Sequence, residues 1–194
     1  MFRFLLAILL VAPLLVPADE ERRVADLYAR GLAGDKQAVL DCIAGLEATL
    51  ARTPDDQLAR VYLGSAWTLR SRDLPIGPAK LSALRRGIAL MDEASSAAPN
   101  DIRVLLTRAV TNEALPGLLG RREVARQELE GLVRQIEEQP SRLPGADRQL
   151  LYLNAGEAAH RAGAEERAHE LWRRGLTINA DPKLSAEIRS ALTK

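Results

Sequence analysis

The chain has 194 residues, of which 47% are hydrophobic but only 4% aromatic, and it has 27 basic and 26 acidic side chains. This composition favours helix–helix packing over β-sandwiches, and the near-zero net charge argues against nucleic acid as a partner. A single cysteine, Cys42, excludes an internal disulfide bond.

The N-terminal segment has the three parts of a secretory signal peptide. Arg3 precedes an apolar run from Phe4 to Val16, and the small-residue site Ala18-Asp19 suits cleavage. The run is shorter than the roughly 20 apolar residues of a membrane span. We therefore predict a signal peptide over residues 1–18 and one exported domain over residues 19–194, periplasmic or secreted. An uncleaved membrane anchor is the alternative, and a membrane contact is expected only in that case.

Two helices are predicted between the cleavage site and Pro54, separated by Gly34-Asp35. Apolar residues recur at spacings of three and four in both: Val24, Leu27, Tyr28 and Gly31 in the first, and Val39, Cys42, Ile43, Leu46 and Leu50 in the second. Because Cys42 lies on this apolar face, we predict a buried structural thiol. End units of stacked helical proteins are often atypical, and this pair is expected to be the N-terminal cap.

The segments 57–99 and 102–140 each show the same periodicity in two halves. The recurring residues are Leu63, Gly64 and Trp67, then Gly87, Met91 and Ala94, in the first segment, and Leu105, Ala109 and Asn112, then Ala125, Leu129 and Leu132, in the second. Arg70, Arg72 and Asp73 are interpreted as a solvated cluster that pairs locally.

The turn predicted at residues 115–120 is unusually apolar, with the sequence Leu-Pro-Gly-Leu-Leu-Gly. Loops are normally polar and exposed, so Leu118 and Leu119 need an explanation. They either pack under a neighbouring helix or form an exposed contact for a partner. A linker is predicted at residues 141–146, around Pro144 and Gly145.

The stretch Leu151–Pro182 has the clearest pattern, that of two short helices joined at Gly163. Its recurring residues are Tyr152, Ala155, Gly156 and Ala159, then Ala168, Leu171, Trp172 and Gly175. Small residues at these positions let two helices approach to about 8 Å. A short amphipathic helix with Leu184, Ile188 and Leu192 is expected to seal the last hydrophobic face.

This last stretch resembles the tetratricopeptide repeat (TPR), a helix–turn–helix unit of 34 residues. The family's signature positions fall on Tyr152, Ala155, Gly156, Ala159, Ala168, Trp172, Gly175 and Ala180. Two departures are the tyrosine where the family usually has tryptophan, and a terminal proline displaced to Pro182. The resemblance implies an all-α, right-handed α-solenoid. With prolines at 54, 99, 144 and 182, we expect about four stacked helical hairpins and a C-terminal capping helix.

The second unit departs from the repeat by its length. Gly64 and Gly87 are 23 residues apart, whereas the family's unit has twelve at this point. The eleven extra residues fall around 71–81, where Pro75, Gly77 and Pro78 lie. Either the turn is an extended loop or the first helix continues further before it.

The resemblance also implies a concave face, lined by the first helix of each unit, that holds a peptide or helix of a partner protein. Carried over to this chain, the candidate partner-binding residues are Arg103, Leu106, Val110 and Glu113 in the third unit and Leu150, Leu153, Glu157, His160 and Arg161 in the fourth, with Leu118 and Leu119 from the apolar turn.

The sequence shows no nucleophile elbow, P-loop or dinucleotide fingerprint, and its two histidines, His160 and His169, lack ligand partners at metal-binding spacing. We predict no catalytic residue, cofactor or metal. The favoured hypothesis is a non-enzymatic interaction module outside the cytoplasm that binds another protein. The alternatives are a membrane-tethered envelope assembly factor and an unrecognised enzyme on a helical scaffold.

Overall fold

The computed structural model describes residues 18–193, with side chains from Arg22 onward, and all regular secondary structure in this range is helical. The helices are α1 (Ala18–Leu32), α2 (Lys36–Arg52), α3 (Gln57–Asp73), α4 (Pro78–Ala97), α5 (Ile102–Ala114), α6 (Arg122–Glu138), α7 (Gly145–Arg161), α8 (Glu165–Ile178) and α9 (Pro182–Ala191). The signal segment predicted from the sequence lies outside the described residues, except for Ala18, where α1 begins.

The helices form four consecutive hairpins, α1/α2, α3/α4, α5/α6 and α7/α8, and α9 packs against the last of them. The first helices of successive hairpins also contact one another, so that α1, α3, α5 and α7 form one layer of the stack. The C-terminal helix buries Ile188 completely, with its side chain against Gly175. The predicted all-α solenoid with a capping helix is confirmed.

Aspartates fix the start of four helices. Asp35, Asp56, Asp101 and Asp181 each accept hydrogen bonds from main-chain N–H groups of the following turn, at 2.7 to 3.3 Å. The first N–H groups of a helix have no partner inside the helix, and a carboxylate at this position supplies one. These caps explain where α2, α3, α5 and α9 begin. Each helix starts directly after its aspartate, at the point where turn residues such as Gly, Pro or Asn give way to regularly spaced apolar residues.

The extra residues of the second unit lengthen its helices and do not form a loop. Helix α3 continues to Asp73 and α4 begins at Pro78, so the connection is only the four residues 74–77. Of the two alternatives for residues 71–81, the longer first helix is correct, and the second helix starts earlier as well. In place of the linker predicted at 141–146 there is a 3₁₀ turn, Pro140–Arg142, then Leu143 and Pro144, and α7 begins at Gly145.

Two contacts between paired helices are possible only with glycine. A Cβ atom on Gly64 would lie 2.7 Å from the carbonyl oxygen of Gly87, which shows that α3 and α4 touch through their backbones. A Cβ atom on Gly156 would lie 2.3 Å from Nε1 of Trp172, the indole of which is fully buried. Small residues therefore set the distance within the second and fourth hairpins.

A network of partly buried charges ties the third hairpin to the second. The guanidinium of Arg121 donates two hydrogen bonds to the carboxylate of Asp92, at 2.9 and 2.7 Å, and Arg108 bridges Asp92 and Glu128. Burial alone would raise the pKa of Asp92, but Arg121 and Arg108 outweigh it and hold that pKa below its usual value. Because Arg121 ends the apolar turn at 115–120, this network fixes the position of that turn.

Candidate functional site

The layer of first helices encloses a groove with two chambers. The larger, about 630 Å³, lies near the turns that end α1, α3 and α5, and we call it the turn chamber. The smaller, about 470 Å³, lies between α1, α2 and the N-terminal half of α3, and we call it the N-terminal chamber. Both have the size of small binding pockets in proteins. The groove is therefore large enough to hold part of a ligand.

The walls of both chambers are largely apolar. The turn chamber is lined by Leu32, Leu69, Leu84, Leu106, Val110, Leu115, Pro116 and Leu150, among others. The N-terminal chamber is lined by Val24, Ala25, Cys42, Leu46, Leu58 and Ala59 together with polar residues. Apolar walls with a few placed polar groups are typical of sites that bind by excluding water.

Three residues, Tyr28, Tyr62 and Arg103, line both chambers and mark the centre of the groove. The two tyrosine rings meet edge to face, with their centroids 5.2 Å apart. The hydroxyl groups of Tyr28 and Ser65 are 2.7 Å apart, and those of Ser65 and Thr111 are 2.9 Å apart. This chain of hydrogen bonds links α1, α3 and α5 and gives the groove a fixed floor.

Burial is the main cause that raises the pKa of Tyr28 to about 12. The phenol is therefore neutral at physiological pH and contributes a hydroxyl group without charge. Cys42 is buried, as predicted, and burial also raises the pKa of its thiol, to about 11. A protonated, buried thiol is a poor nucleophile, so Cys42 is a wall of the N-terminal chamber and not a reactive group.

Arg103 is the exposed cation at the centre of the groove. About half of its side-chain surface is accessible, and its Nε atom lies 3.7 Å from the carboxylate of Asp147. Among the described residues, the guanidinium has no hydrogen bond to a protein atom. Its donors are therefore available to a ligand.

The other charged groups of the groove are already bound to the protein. Arg72 donates to the main-chain oxygen of Gly31 at 2.9 Å and pairs with Asp73. The predicted local pairing is present, but the cluster is not fully solvated, because the side chain of Asp73 is only 5% exposed. The ammonium group of Lys80 contacts three carbonyl oxygens at the end of α3 and the turn after it, at 2.8 to 3.3 Å. Asp56 caps α3. The two carboxylates of the groove, Asp56 and Asp147, therefore do not form a free acid–base pair.

Four of the candidate residues named from the sequence line this groove: Arg103, Leu106 and Val110 on α5 and Leu150 on α7. Leu106 is mostly covered, with 3% of its surface exposed, whereas Val110 and Leu150 are half-buried. The structure therefore brings these residues of the two units together on one surface.

The remaining candidates on the first helices lie elsewhere. Leu153 is buried in the core. The side chain of Glu113 is 3% exposed and is bound by Arg161 at 2.7 Å, and Arg161 also lies 3.6 Å from Glu157. This pairing holds the end of α7 against the end of α5, and Leu150 is the last residue of α7 in the lining of the turn chamber. His160 instead contacts Glu165 at 2.7 Å, beside the turn between α7 and α8.

The two leucines of the apolar turn differ in exposure, so each of the two alternatives predicted from the sequence fits one of them. Leu118 is 90% exposed, whereas Leu119 is half-buried. Leu115 and Pro116, just before them, form part of the turn chamber. Leu118 is thus available as a contact close to the groove.

Sequence reasoning missed the tyrosines and Lys80 as groove residues. Tyr28 appeared to be a core residue of α1, and Tyr62 was not selected at all. Both tyrosines could have been found from their place in the sequence, because each lies on the first helix of its hairpin and the first helices form the groove. Lys80 belongs to a second helix and reaches the groove because α4 begins early, which the sequence pattern did not reveal.

Metal-binding clusters and membrane-spanning helices are both absent from the described residues. Between residues 18 and 193, no group of three or more His, Cys, Asp or Glu side chains is arranged to hold a metal ion. In the same part of the chain, no helix combines the length and apolar character needed to cross a membrane.

No family model matches the sequence, and no curated protein sequence is significantly similar to it. The fold is similar to the crystal structure of TTC0263, a thermophilic TPR protein in Thermus thermophilus. The two chains align with a TM-score of 0.65 at 18% sequence identity, over 92% of this chain and 84% of that chain. At this identity the similarity shows the fold, and the TPR-like architecture predicted from Leu151–Pro182 is confirmed.

Proposed function

We propose that this TPR-like chain is a non-enzymatic interaction module that binds a segment of another protein in the groove of its first helices. The observation that supports the proposal best is the groove itself, with apolar chambers on both sides of Tyr28, Tyr62 and Arg103. Tyrosine and arginine are the residue types enriched at the energetic centres of protein interfaces. The TPR fold generally serves protein–protein interaction, which agrees with this reading.

We place the exposed turn at the border of the same binding surface. Leu118 is almost fully exposed three residues from Leu115, a wall of the turn chamber. A partner segment that leaves the groove at this end would cover Leu118 and gain the burial of an apolar side chain. Arg121, held by Asp92, keeps the turn in place for this contact.

A photo-crosslinking experiment in intact cells tests the proposal. A photoreactive amino acid at Val110, inside the turn chamber, is expected to capture one specific partner protein. The same amino acid at Arg134, an exposed position on α6 in the layer of second helices, is the matched control. Because a carboxylate in an apolar chamber carries a desolvation penalty, Leu150→Glu is expected to remove the crosslink from Val110. Equal capture from both positions, or no capture from Val110, contradicts the proposal.

We further propose that the protein acts outside the cytoplasm after cleavage between Ala18 and Asp19. The support is the tripartite N-terminal sequence, with its charge, apolar run and small-residue site. A membrane-tethered assembly factor would keep the same segment as an anchor. Mass spectrometry of the natural protein separates the two, because cleavage gives an N-terminus at Asp19 and an anchor retains the N-terminal segment.

A further inference from the structure

A half-exposed cation, Arg103, lies between two apolar chambers at the centre of the groove. Within the described part of the chain, its guanidinium has an ion pair with Asp147 at 3.7 Å and no hydrogen bond to a protein atom. A planar guanidinium with free donors fits a carboxylate, which can accept two parallel hydrogen bonds from it. A ligand that used this donor set would have an acidic group in its middle and apolar groups on both sides.

The charge of the whole groove also favours an acidic ligand. Its lining residues include four cations, Arg22, Arg72, Lys80 and Arg103, and two carboxylates, Asp56 and Asp147, and one further carboxylate, Asp73, pairs with Arg72 from outside the lining. Asp147, the carboxylate beside Arg103, lies in the first turn of α7, where the helix N-terminus stabilises negative charge. A second carboxylate could therefore bind to Arg103 without displacing Asp147, because one guanidinium has five N–H donors.

We propose that the groove recognises an apolar peptide segment with one central aspartate or glutamate, the carboxylate of which binds Arg103. The apolar side chains on either side of the acid fill the turn chamber and the N-terminal chamber. This assignment rests on the function proposed above and names the chemistry of the partner segment. From Arg103 to Ala114 the wall formed by α5 is about 16 Å long at 1.5 Å per residue, so a short segment is enough to fill the groove.

The test uses a defined probe, a twelve-residue fluorescein-labelled peptide of leucine and alanine with glutamate at its centre. Its ends are acetylated and amidated, so that the glutamate is its only carboxylate apart from the dye. Two further peptides have glutamine or lysine at the central position. Binding to the full chain is followed by fluorescence anisotropy. We expect the glutamate peptide to bind roughly tenfold to a hundredfold more tightly than the glutamine peptide, and the lysine peptide most weakly.

Variants at Arg103 show whether this preference comes from its charge. Arg103→Met is expected to remove the preference for glutamate over glutamine, and Arg103→Glu is expected to reverse it in favour of the lysine peptide. Arg134→Met, which removes an exposed arginine on α6, is the matched control and should change nothing. Arg103 is half exposed and outside the core, and a thermal unfolding curve for each variant confirms that it is folded.

The outcomes distinguish a failure of the central acid from a failure of the groove as a binding site. If glutamate and glutamine peptides bind equally well to the unaltered protein, the central acid is wrong, while the groove as a peptide site stands. The same conclusion follows if Arg103→Met and Arg134→Met have equal effects. If none of the three peptides binds, both the acidic segment and the groove assignment are contradicted.

Discussion

Trp172→Ala is expected to lower the free energy of unfolding by roughly 3–5 kcal/mol, the usual cost of truncating a large buried aromatic side chain. Trp172 is fully buried between α7 and α8, and its Nε1 donates a hydrogen bond to the carbonyl oxygen of Leu153 at 3.2 Å. Its removal leaves a cavity and takes away the indole donor, while the carbonyl oxygen of Leu153 keeps its place in the hydrogen-bond ladder of α7. Urea unfolding followed by circular dichroism measures the loss. A loss below about 1 kcal/mol would show that the fourth hairpin does not depend on this contact.

The effect of Gly156→Ala on stability is expected to depend on whether the indole of Trp172 is present. In the unaltered protein, the added methyl group of Gly156→Ala meets the ring at 2.3 Å, so we expect a loss despite the gain of about 1 kcal/mol from replacing a helical glycine. In the Trp172→Ala background the clash is gone, and Gly156→Ala should stabilise. A double-mutant cycle followed by urea unfolding measures the change in the free energy of unfolding caused by Gly156→Ala in each background. The same sign in both backgrounds would contradict the packing of Gly156 on Trp172.

Gly64→Ala is expected to destabilise the second hairpin by roughly 1–3 kcal/mol. Its Cβ would lie 2.7 Å from the carbonyl oxygen of Gly87 and 2.9 Å from the amide nitrogen of Met91. These are backbone atoms, so α3 and α4 must move apart. Thermal unfolding of the variant is the measurement.

Gly131→Ala is the matched control for this substitution. Gly131 lies inside α6, where its Cβ would have only Arg134 nearby, at 3.9 Å. The substitution should therefore stabilise by about 0.5–1 kcal/mol, because alanine loses less conformational entropy than glycine on folding. If Gly64→Ala stabilises the protein as Gly131→Ala does, the backbone contact between α3 and α4 is contradicted.

The architecture could be predicted because it depends on local signals. The small residues and aromatic positions between Leu151 and Pro182 specify a hairpin, and the recurring prolines mark the boundaries between units. Each hairpin packs mainly on its sequence neighbours, so a local pattern also determines the stacking. For the same reason the C-terminal helix could be assigned to the last hydrophobic face from Leu184, Ile188 and Leu192 alone.

The groove could be predicted only in part, because it depends on how successive hairpins are tilted. Arg103, Leu106 and Val110 on α5 line the groove, but Glu113 on the same helix does not. Glu113 pairs instead with Arg161 near the end of α7, where the other candidate residues also lie outside the groove lining. No spacing in the sequence indicates that pairing. The ambiguity at residues 71–81 has a similar origin, because helix and loop were both compatible with Pro75, Gly77 and Pro78.

The central claim is that ligands bind to the layer of first helices, and methyl-resolved NMR with the glutamate peptide tests it most directly. Leu106, Val110 and Leu150 report on the groove, and Val124 and Val133 on α6 report on the layer of second helices. The account predicts that added peptide shifts the methyl signals of the first three residues and leaves those of the two valines in place. Shifts concentrated on the valines, with the groove methyl signals unchanged, would contradict it.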